Sequence, residues 1–503
     1  MTTTNAEYGS GGSSGHAGGD VRSVKPGNGG GPNSDGEGQP LYADRIKIYP
    51  KEAHGRFRTI KWVVMAVTLG IYYLLPWIRW DRGSYLPDQA VLIDLSGQRF
   101  YFFFIEIWPQ EFYFVTGLLV LASLVLFLVT SIAGRVWCGY TCPQTVWTDL
   151  MIAVERFWQG DRNARLRLDK HKLALETLSR KSATHLSWLA IAIATGGAWV
   201  FYFADAPTLA KQLLTFDASM VAYLFIGLFT LTTYVLGGIV REQVCVYMCP
   251  WPRIQGAMFD RDSLLISYRT WRGEPHRPHK AGQTWEGRGD CVDCRQCVAV
   301  CPAGIDIRDG PQLECIQCAL CIDACDEVMD KVGRPRSLIA YDTVRSLEAG
   351  AENAEPIRLL RPRVILYATA IAVVCVIMFV ALVTRPELEV NVLNDRNPLY
   401  VKLSDGGVRN GYAVKLLNKL YQPRAFNLSV EGLQGAELNI VGHEGGVVPV
   451  PPDNLQSVKL YIALTKDAVR ALPSQANAFN FVVTDMVSGA RTEHAATFQG
   501  PPK

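Results

Sequence analysis

The stretch that decides the fold reads Cys291-Val-Asp-Cys294-Arg-Gln-Cys297-Val-Ala-Val-Cys301-Pro302, and its spacing returns in Cys315-Ile-Gln-Cys318-Ala-Leu-Cys321-Ile-Asp-Ala-Cys325. Three closely spaced cysteines followed by a fourth form the pattern of bacterial ferredoxins that hold two cubane clusters. Structural zinc sites also use C-x-x-C pairs, but they need neither the third step nor the more distant fourth ligand. The sequence therefore predicts an inserted 2[4Fe-4S] ferredoxin-like domain over residues 261–345.

The cluster ligands follow from the same spacing, because in such ferredoxins the fourth cysteine of each run ligates the other cluster. We therefore predict two [4Fe-4S] clusters, each held by one quartet of cysteines. Asp326 follows the second run where a generic ferredoxin carries proline, a change that leaves every ligand in place. The first quartet is Cys291, Cys294, Cys297 and Cys325, and the second quartet is Cys315, Cys318, Cys321 and Cys301.

Long apolar stretches surround the ferredoxin segment in a chain of 503 residues, of which 49% are hydrophobic. A helix needs ~20 apolar residues to cross the hydrocarbon of a bilayer. Five stretches reach that length, which predicts an α-helical membrane bundle over residues 41–260 and a fifth helix after the ferredoxin domain. The predicted spans are 62–80, 114–133, 186–203, 221–240 and 364–384.

Basic residues indicate the orientation of these spans, because Lys and Arg are retained on the cytoplasmic side. They crowd the segment before the first span and the connection 134–185, whereas the connections 81–112 and 204–220 carry few of them. The sequence thus predicts a multi-pass protein of the bacterial inner membrane, in contact with membrane lipid. Its N-terminus and ferredoxin domain would be cytoplasmic, and everything after the fifth span periplasmic. A net charge of +3 gives no reason to expect a nucleic-acid partner.

The two ends of the chain differ in composition. Residues 1–40 are dominated by Gly, Ser, Asn and Asp, which predicts a disordered tail because so little apolar surface can be buried. Residues 387–503 contain short alternating apolar runs separated by Gly, Pro, Asn and Asp, a pattern typical of an antiparallel β-sandwich. This last domain has no cysteine, so we expect a binding or docking module.

Four further cysteines form two matching pairs just beyond the second and fourth spans. The pairs read Cys138-Gly-Tyr-Thr-Cys142-Pro143 and Cys245-Val-Tyr-Met-Cys249-Pro250. A separation of four would place both sulfurs of a pair on one helical face, so two such helix ends could present four thiolates together. Thiolates suit Cu(I) or another cluster. A redox-active or structural thiol pair is the alternative.

The remaining candidates are weaker. Glu106 and Glu111 lie in an outer aromatic segment, where they could serve a proton or quinol step or simply belong to an interfacial belt. For His276 and His279 we expect a solvated loop, and for Met248 a packing role. Cys375 stands alone within an apolar run, where we expect a buried and inert thiol.

Beyond the tail, several further motifs accompany the ferredoxin runs. They are Arg45-Ile-Lys-Ile-Tyr-Pro50, His54-Gly-Arg-Phe-Arg58, Phe104-Ile-Glu-Ile-Trp-Pro-Gln-Glu111, Trp137-Cys-Gly-Tyr-Thr-Cys-Pro-Gln-Thr-Val-Trp147 and Asp395-Arg-Asn-Pro-Leu-Tyr400. With these motifs the chain resembles the CcoG family, also called FixG or RdxA, which comprises accessory proteins of cbb3-type cytochrome c oxidase. The resemblance implies a cupric reductase that converts Cu(II) to Cu(I), with copper handled by Cys138, Cys142, Cys245 and Cys249. It also implies a cytoplasmic electron donor and a periplasmic immunoglobulin-like domain that meets oxidase subunits or a copper chaperone.

Two other functions remain compatible with the same residues. The protein could be a membrane quinol dehydrogenase, since related polyferredoxin subunits of nitrate and nitrous-oxide systems pass electrons through similar clusters. Alternatively it could be an oxidase assembly scaffold whose clusters are structural. A strongly bound quinone in the purified protein would favour the first alternative, and normal oxidase maturation by cluster-ligand mutants would favour the second.

Overall fold

The computed structural model describes residues 47–83, 86–171, 174–280, 282–350, 358–384, 388–419 and 422–502. The predicted disordered tail, residues 1–40, lies outside the described residues. Within the described part the predicted multi-domain fold is confirmed: an α-helical membrane bundle contains an inserted ferredoxin-like domain, and an all-β sandwich follows it.

The region before the ferredoxin domain is mainly helical. Among the described residues, five helices are long and apolar enough to cross a membrane, and they mark the chain as a membrane protein: Arg56–Trp77, Pro109–Ala133, Leu175–Val200, Met220–Val240 and Pro362–Val383. The helices up to residue 256 are α1 (Arg56–Leu74), α2 (Tyr113–Ala133), α3 (Val136–Tyr140), α4 (Pro143–Gln159), α5 (Arg162–Lys170), α6 (Leu175–Val200), α7 (Ala206–Leu214), α8 (Met220–Thr232) and α9 (Trp251–Gly256). Two π-helical segments, Thr233–Val240 and Val244–Met248, lie between α8 and α9.

The connection between the first two spans forms a small antiparallel sheet, which the sequence analysis did not predict. Its strands are β1 (Val91–Asp94), β2 (Arg99–Phe102) and β3 (Ile105–Ile107), in the order β1-β2-β3. The runs are short, and Tyr101 and Ile107 are buried within them. The Phe-rich segment therefore forms an ordered sheet.

The first and last strands of the ferredoxin-like domain pair with each other. Strand β4 (Leu265–Tyr268) pairs antiparallel with β5 (Ile339–Asp342), with Leu265 opposite Asp342. Its short helices are α10 (Thr270–Gly273), α11 (Gln296–Val300) and α12 (Leu320–Lys331), and α13 (Val344–Ala349) follows β5. Because β4 and β5 leave the domain side by side, the cysteine-rich loops between them form one compact insert.

Helix α12 is attached directly to the first membrane helix. The carboxylate of Asp323 accepts the backbone N–H groups of Phe57 and Arg58 at 3.2 and 2.7 Å. These belong to the first turn of α1, whose N–H groups have no partner within the helix. The Arg58 side chain in turn binds both oxygens of Asp149 on α4, at 2.9 and 2.8 Å. A chain of charged contacts thus joins α4, α1 and the ferredoxin domain.

The last domain follows α14 (Pro362–Val383) and consists of two antiparallel sheets. One has the order β10-β12-β8-β6 with β7 also paired to β8, and the other has the order β11-β9-β13-β14. Their inner faces supply the core, which includes Val414, Leu460, Phe481 and Phe498. The elements are β6 (Leu388–Asn394), β7 (Val401–Lys402), β8 (Val408–Asn418), β9 (Arg424–Glu431), β10 (Ala436–Ile440), β11 (Val447–Val450), β12 (Asn454–Leu464), α15 (Lys466–Ala471), β13 (Ala476–Asp485) and β14 (Arg491–Gln499).

Ion pairs join this sandwich to the small sheet between the first two spans. Glu111 is paired with Lys419 at 2.7 Å, and both side chains are buried. Arg99 on β2 binds Asp453 and also contacts Glu106 at 3.2 Å. The two carboxylates considered for a proton or quinol step are thus engaged in structural ion pairs.

Candidate electron-transfer site

The two quartets lie around two separate cavities, grouped as the crossover pattern predicts. One cavity is lined by Cys291, Cys294, Cys297 and Cys325, together with Arg308. The other is lined by Cys301, Cys315, Cys318 and Cys321, together with Ile316 and Gln317. Cys297 also borders the second cavity, so the two cavities are neighbours. The fold therefore brings each distant fourth cysteine to the quartet to which the spacing assigned it.

The backbone repeats the same unusual conformation in both quartets. The residues on either side of the second cysteine have positive φ angles in each case: Asp293 and Arg295 at 52°, Gln317 at 55° and Ala319 at 61°. Non-glycine residues rarely adopt this region, and where they do the surrounding structure enforces it, often at a functional site. Each loop therefore wraps around its cavity in the same way, and the residues present fit a cubane cluster in each.

Burial raises the pKa of five of the eight quartet cysteines. It raises the pKa of Cys297 and Cys315 to about 11 and that of Cys301 to about 12, and it raises those of Cys321 and Cys325 as well. Deprotonated thiols here therefore need a compensating cation, which ties the loss of their protons to metal binding. Of the eight cysteines, Cys294 is the one whose residue is exposed.

The two further pairs also come together in space. Cys138, Cys142, Cys245 and Cys249 line one cavity of about 220 Å³, which we call the four-cysteine pocket. Its other walls include Trp137, Trp251 and Leu313. The first three thiols are partly buried and Cys249 is exposed. The prediction that two separate sequence segments present four thiols together agrees with this geometry.

The predicted placement of each pair on one helical face is wrong. Cys138 lies within α3, but Cys142 precedes α4 with φ −57° and ψ 127°. Cys245 lies in a π-helical segment, and Cys249 follows it with φ −81° and ψ 121°. A proline follows each of these second cysteines, and proline disfavours the helical conformation in the residue before it. Pro143 and Pro250 therefore turn the second thiol of each pair away from a shared helical face.

The four-cysteine pocket shares a wall with the cavity of the second quartet. Ile316 lines both cavities, and Leu313 and Glu314 from the same loop also line the pocket. Helix α3 packs closely on this loop, since a Cβ at Gly139 would lie 2.8 Å from the carbonyl oxygens of both Ile316 and Gln317. Only glycine allows this approach without displacing one of the two backbones.

Arg135 fixes the contact between α3 and the loop 313–317. Its buried guanidinium donates to the carbonyl oxygens of Leu313, Cys315 at 3.3 Å and Pro252 at 2.6 Å, while its backbone N–H donates to the Gln317 side chain at 2.7 Å. One side chain thus ties together both thiol-bearing segments and the loop of the second quartet. In the sequence, Arg135 is one of the basic residues of the connection 134–185 that indicate topology, and nothing local to it predicts these contacts.

Burial also raises the pKa of Cys138, to about 12, and the neighbouring Cys142 adds to the rise while Arg135 opposes it. Burial raises the pKa of Cys245 to about 11, with Cys142 and Cys249 adding to it. The Cys138 thiol donates to the buried Gln255 side chain at 3.3 Å. These thiols are protonated at neutral pH until a cation replaces their protons.

The thiols surround their cavities instead of meeting at one point. Among the described residues no three His, Cys, Asp or Glu side chains are close enough to ligate a single metal ion. A lone tetrahedral ion holds its sulfur ligands at ~2.3 Å, whereas a cubane presents four separate corners to its cysteines. The spacing of the quartets is therefore compatible with clusters, and a single ion in the four-cysteine pocket would need its thiols to rotate inward.

The weaker candidates do not line these cavities. Met248 is exposed and does not line the four-cysteine pocket. His276 is hydrogen bonded to Glu274, at 2.8 Å, and His279 stacks on Trp285 with ring centroids 4.2 Å apart. Cys375 is exposed on α14, contrary to the expectation of burial within the protein, because this helix presents its apolar side chains outward.

Together these features define a membrane-embedded iron–sulfur protein, and comparison with known proteins agrees. Residues 240–344 match a family described as a 4Fe-4S dicluster domain, and residues 115–159 match one described as a 4Fe-4S binding domain. Residues 378–501 match the IG-like fold at the C-terminus of FixG, so the sandwich is immunoglobulin-like.

Similar whole proteins specify the family. The chain is 52% identical to the nitrogen fixation protein FixG of Rhizobium meliloti, over 92% of this chain and 94% of that protein. It is 50% identical to protein RdxB of Cereibacter sphaeroides, over 93% and 98%, and 52% identical to protein RdxA of the same organism, over 84% and 90%. The chain belongs to the FixG/RdxA family of membrane iron–sulfur proteins, as the sequence motifs predicted.

Proposed function

We propose that the protein is a cupric reductase that binds Cu(II) in the four-cysteine pocket and releases Cu(I) for assembly of a cbb3-type cytochrome c oxidase. One observation carries this proposal: two thiol pairs from separate segments line a single cavity that shares Ile316 with the cavity of the second quartet. Soft thiolate ligands favour Cu(I) over harder ions. The pocket therefore suits the reduced product and lies beside a site suited to a redox cofactor.

The first and second quartets would hold two [4Fe-4S] clusters, which supply one-electron carriers when bound. Reduction of one Cu(II) consumes one electron and gives one Cu(I). The chain contributes the close contact at Gly139 and the buried guanidinium of Arg135, which hold the loop 313–317 against the pocket. The indole rings of Trp137 and Trp251 form apolar walls of the pocket.

In the cell we place the pocket and the ferredoxin domain on the cytoplasmic side of the inner membrane, because basic residues flank these segments. The sandwich would then be periplasmic, where it would meet oxidase subunits or a copper chaperone. A cytoplasmic donor would supply electrons.

The first test uses the purified protein, reduced without oxygen and then titrated with Cu(II). Optical reoxidation of the clusters is followed beside Cu(I), which is trapped with a chelator. We expect about one Cu(I) for each cluster oxidised, and almost none from a Cys138→Ser/Cys249→Ser variant that retains its clusters. The matched control is Cys375→Ser, which removes an exposed thiol far from the pocket along the chain and should behave as the unmodified protein. Clusters that remain reduced in the presence of Cu(II) would contradict the proposal.

A second occupant of the pocket is favoured by a specific observation. The family described as a 4Fe-4S binding domain matches residues 115–159, which include Cys138 and Cys142. A further cluster held by the four thiols would extend the electron-transfer chain and leave no thiolate site for copper. Iron analysis separates the two cases, since two clusters contain about eight iron atoms and three contain about twelve. Loss of about four iron atoms in the Cys138→Ser/Cys249→Ser variant would support the further cluster.

A further inference from the structure

The first quartet differs from the second in having an exposed ligand. Cys294 reaches the surface, whereas the four cysteines of the second quartet are buried or partly buried. A carrier that touches the surface near Cys294 would therefore come close to a cluster held by the first quartet.

Basic residues lie beside the loop that carries Cys294 and beside helix α11, which follows it. The Lys51 ammonium donates to the Gln296 side chain at 2.9 Å, and the Arg162 guanidinium contacts the Ala299 carbonyl at 3.4 Å. The Arg277 backbone N–H donates to the Cys291 carbonyl at 3.3 Å, and the Arg295 side chain, next to Cys294, is 74% exposed. We define the basic collar as Lys51, Arg162, Arg277 and Arg295.

The acidic residues nearby are mostly neutralised by other partners. Asp293 is held by Arg308 at 2.6 Å, and Arg308 also binds Asp306 at 2.6 Å. Glu274 accepts hydrogen bonds from His276 and Tyr268. Arg295 lies 3.8 Å from Asp293, which already has a closer guanidinium. Glu52 adds an exposed acid beside Lys51. Two further acids close to the collar, Asp161 and Glu327, are paired with Arg156 at 3.6 Å and Lys331 at 2.5 Å.

We propose that the basic collar is the docking surface for an acidic, soluble one-electron carrier protein, which passes its electron to the protein beside Cys294. This inference rests on the electron-transfer role proposed above but not on copper. Complementary charge accelerates encounter and orients the partners, and interfaces of redox partners are small and short-lived. The affinity should therefore be modest and should fall steeply with salt.

The test measures binding of an acidic flavodoxin to the full-length protein, with its clusters present, in nanodiscs of neutral lipid. Arg295→Asn removes one charge and keeps the positive φ, which asparagine tolerates better than most residues. Arg277→Glu reverses a second charge. We expect the combined variant to bind about tenfold more weakly and to lose most of the salt dependence. The matched control is Arg470→Asn on the sandwich, whose side chain is 70% exposed, and it should bind normally.

Reduction kinetics provide a second readout, again without copper. Flavodoxin hydroquinone should reduce the combined variant about tenfold more slowly. The radical cation of reduced methyl viologen, a small reductant that gives up one electron and returns to the dication, should reduce it at least as fast as the unmodified protein. An equal loss with both reductants would mean that the substitutions damaged the clusters and would overturn the proposal. Unchanged flavodoxin binding in nanodiscs of neutral lipid would also overturn the proposal. If the substitutions weakened flavodoxin binding only in nanodiscs of anionic lipid, the collar would be a lipid contact, and the proposal would again be overturned. None of these outcomes depends on whether Cu(II) is reduced.

Discussion

The two quartets share the same backbone conformation around their second cysteine, but they differ in what surrounds them. The first has an exposed ligand, Cys294, and its loop is fastened within the ferredoxin domain by Arg308. The second lies against the four-cysteine pocket, and its loop is fastened to the membrane-proximal segments by Arg135. The same motif therefore occurs in two different surroundings. One quartet lies at the surface, where an external partner can reach it, and the other adjoins the pocket inside the protein.

The largest effect on the yield of Cu(I) is expected from two single variants, each of which lacks one cysteine ligand of one quartet. In a single-turnover experiment with excess chemical reductant removed, the unmodified protein should yield about two Cu(I). Cys294→Ala should yield about one, because the second quartet still adjoins the pocket, and Cys318→Ala should yield almost none. Iron content should fall by about half in both variants, and the remaining cluster's electron paramagnetic resonance signal reports that each is folded. Equal Cu(I) yields from the two variants would remove the asymmetry between the quartets.

A smaller effect is expected when each fastening arginine is truncated. Arg135→Ala leaves three carbonyl groups without their buried donor, which should cost about 2–4 kcal/mol and lower the thermal midpoint in detergent. It should also slow Cu(I) formation about tenfold, since the loop 313–317 is no longer held against α3.

Arg308→Ala is the counterpart, because it frees Asp293 and Asp306 beside the first quartet. With a chemical reductant its Cu(I) formation should remain within about twofold of the unmodified rate, although its stability falls. If Cu(I) formation slowed tenfold in Arg308→Ala, the two loops would be coupled, and the two quartets would not act independently.

Much of this arrangement follows from local sequence, because local rules govern it. The spacing of the cysteines was enough to group the eight ligands into two quartets, and the length of the apolar stretches was enough to predict five spans. The alternation of apolar and polar residues predicted the sandwich strands β8, β12 and β13. The extended second cysteines could also have been predicted from Pro143 and Pro250.

Other features depend on contacts between residues that are distant in sequence. Glu111 meets Lys419, and Arg135 meets Cys315, and neither partner carries a local signal of the other. A single carboxylate such as Glu111 has the same local appearance whether it moves protons or joins two domains. Gly139 has the same ambiguity, since a glycine near a helix end usually reflects a turn. Only the packed structure shows which role each residue has.

The smallest and most specific prediction concerns that glycine. In Gly139→Ala the added methyl would meet two backbone carbonyl oxygens at 2.8 Å, so α3 and the loop 313–317 must separate by a few tenths of an ångström. We expect a loss of about 1–3 kcal/mol, because the obstacle is backbone and cannot rotate away. Cu(I) formation should slow by severalfold, while reduction of the first quartet's cluster by an external donor should be unchanged.

The matched control for this substitution is Gly70→Ala, because Gly70 is also helical but has open space where its Cβ would lie. Alanine there should leave stability unchanged or slightly raised, since it is the better helix former. If Gly139→Ala instead matched this control in both stability and Cu(I) rate, the close approach at Gly139 would not be what couples the second quartet to the pocket. Arg135 would then be what holds the loop 313–317 against the pocket, and the Arg135→Ala variant would show the whole effect on the rate of Cu(I) formation.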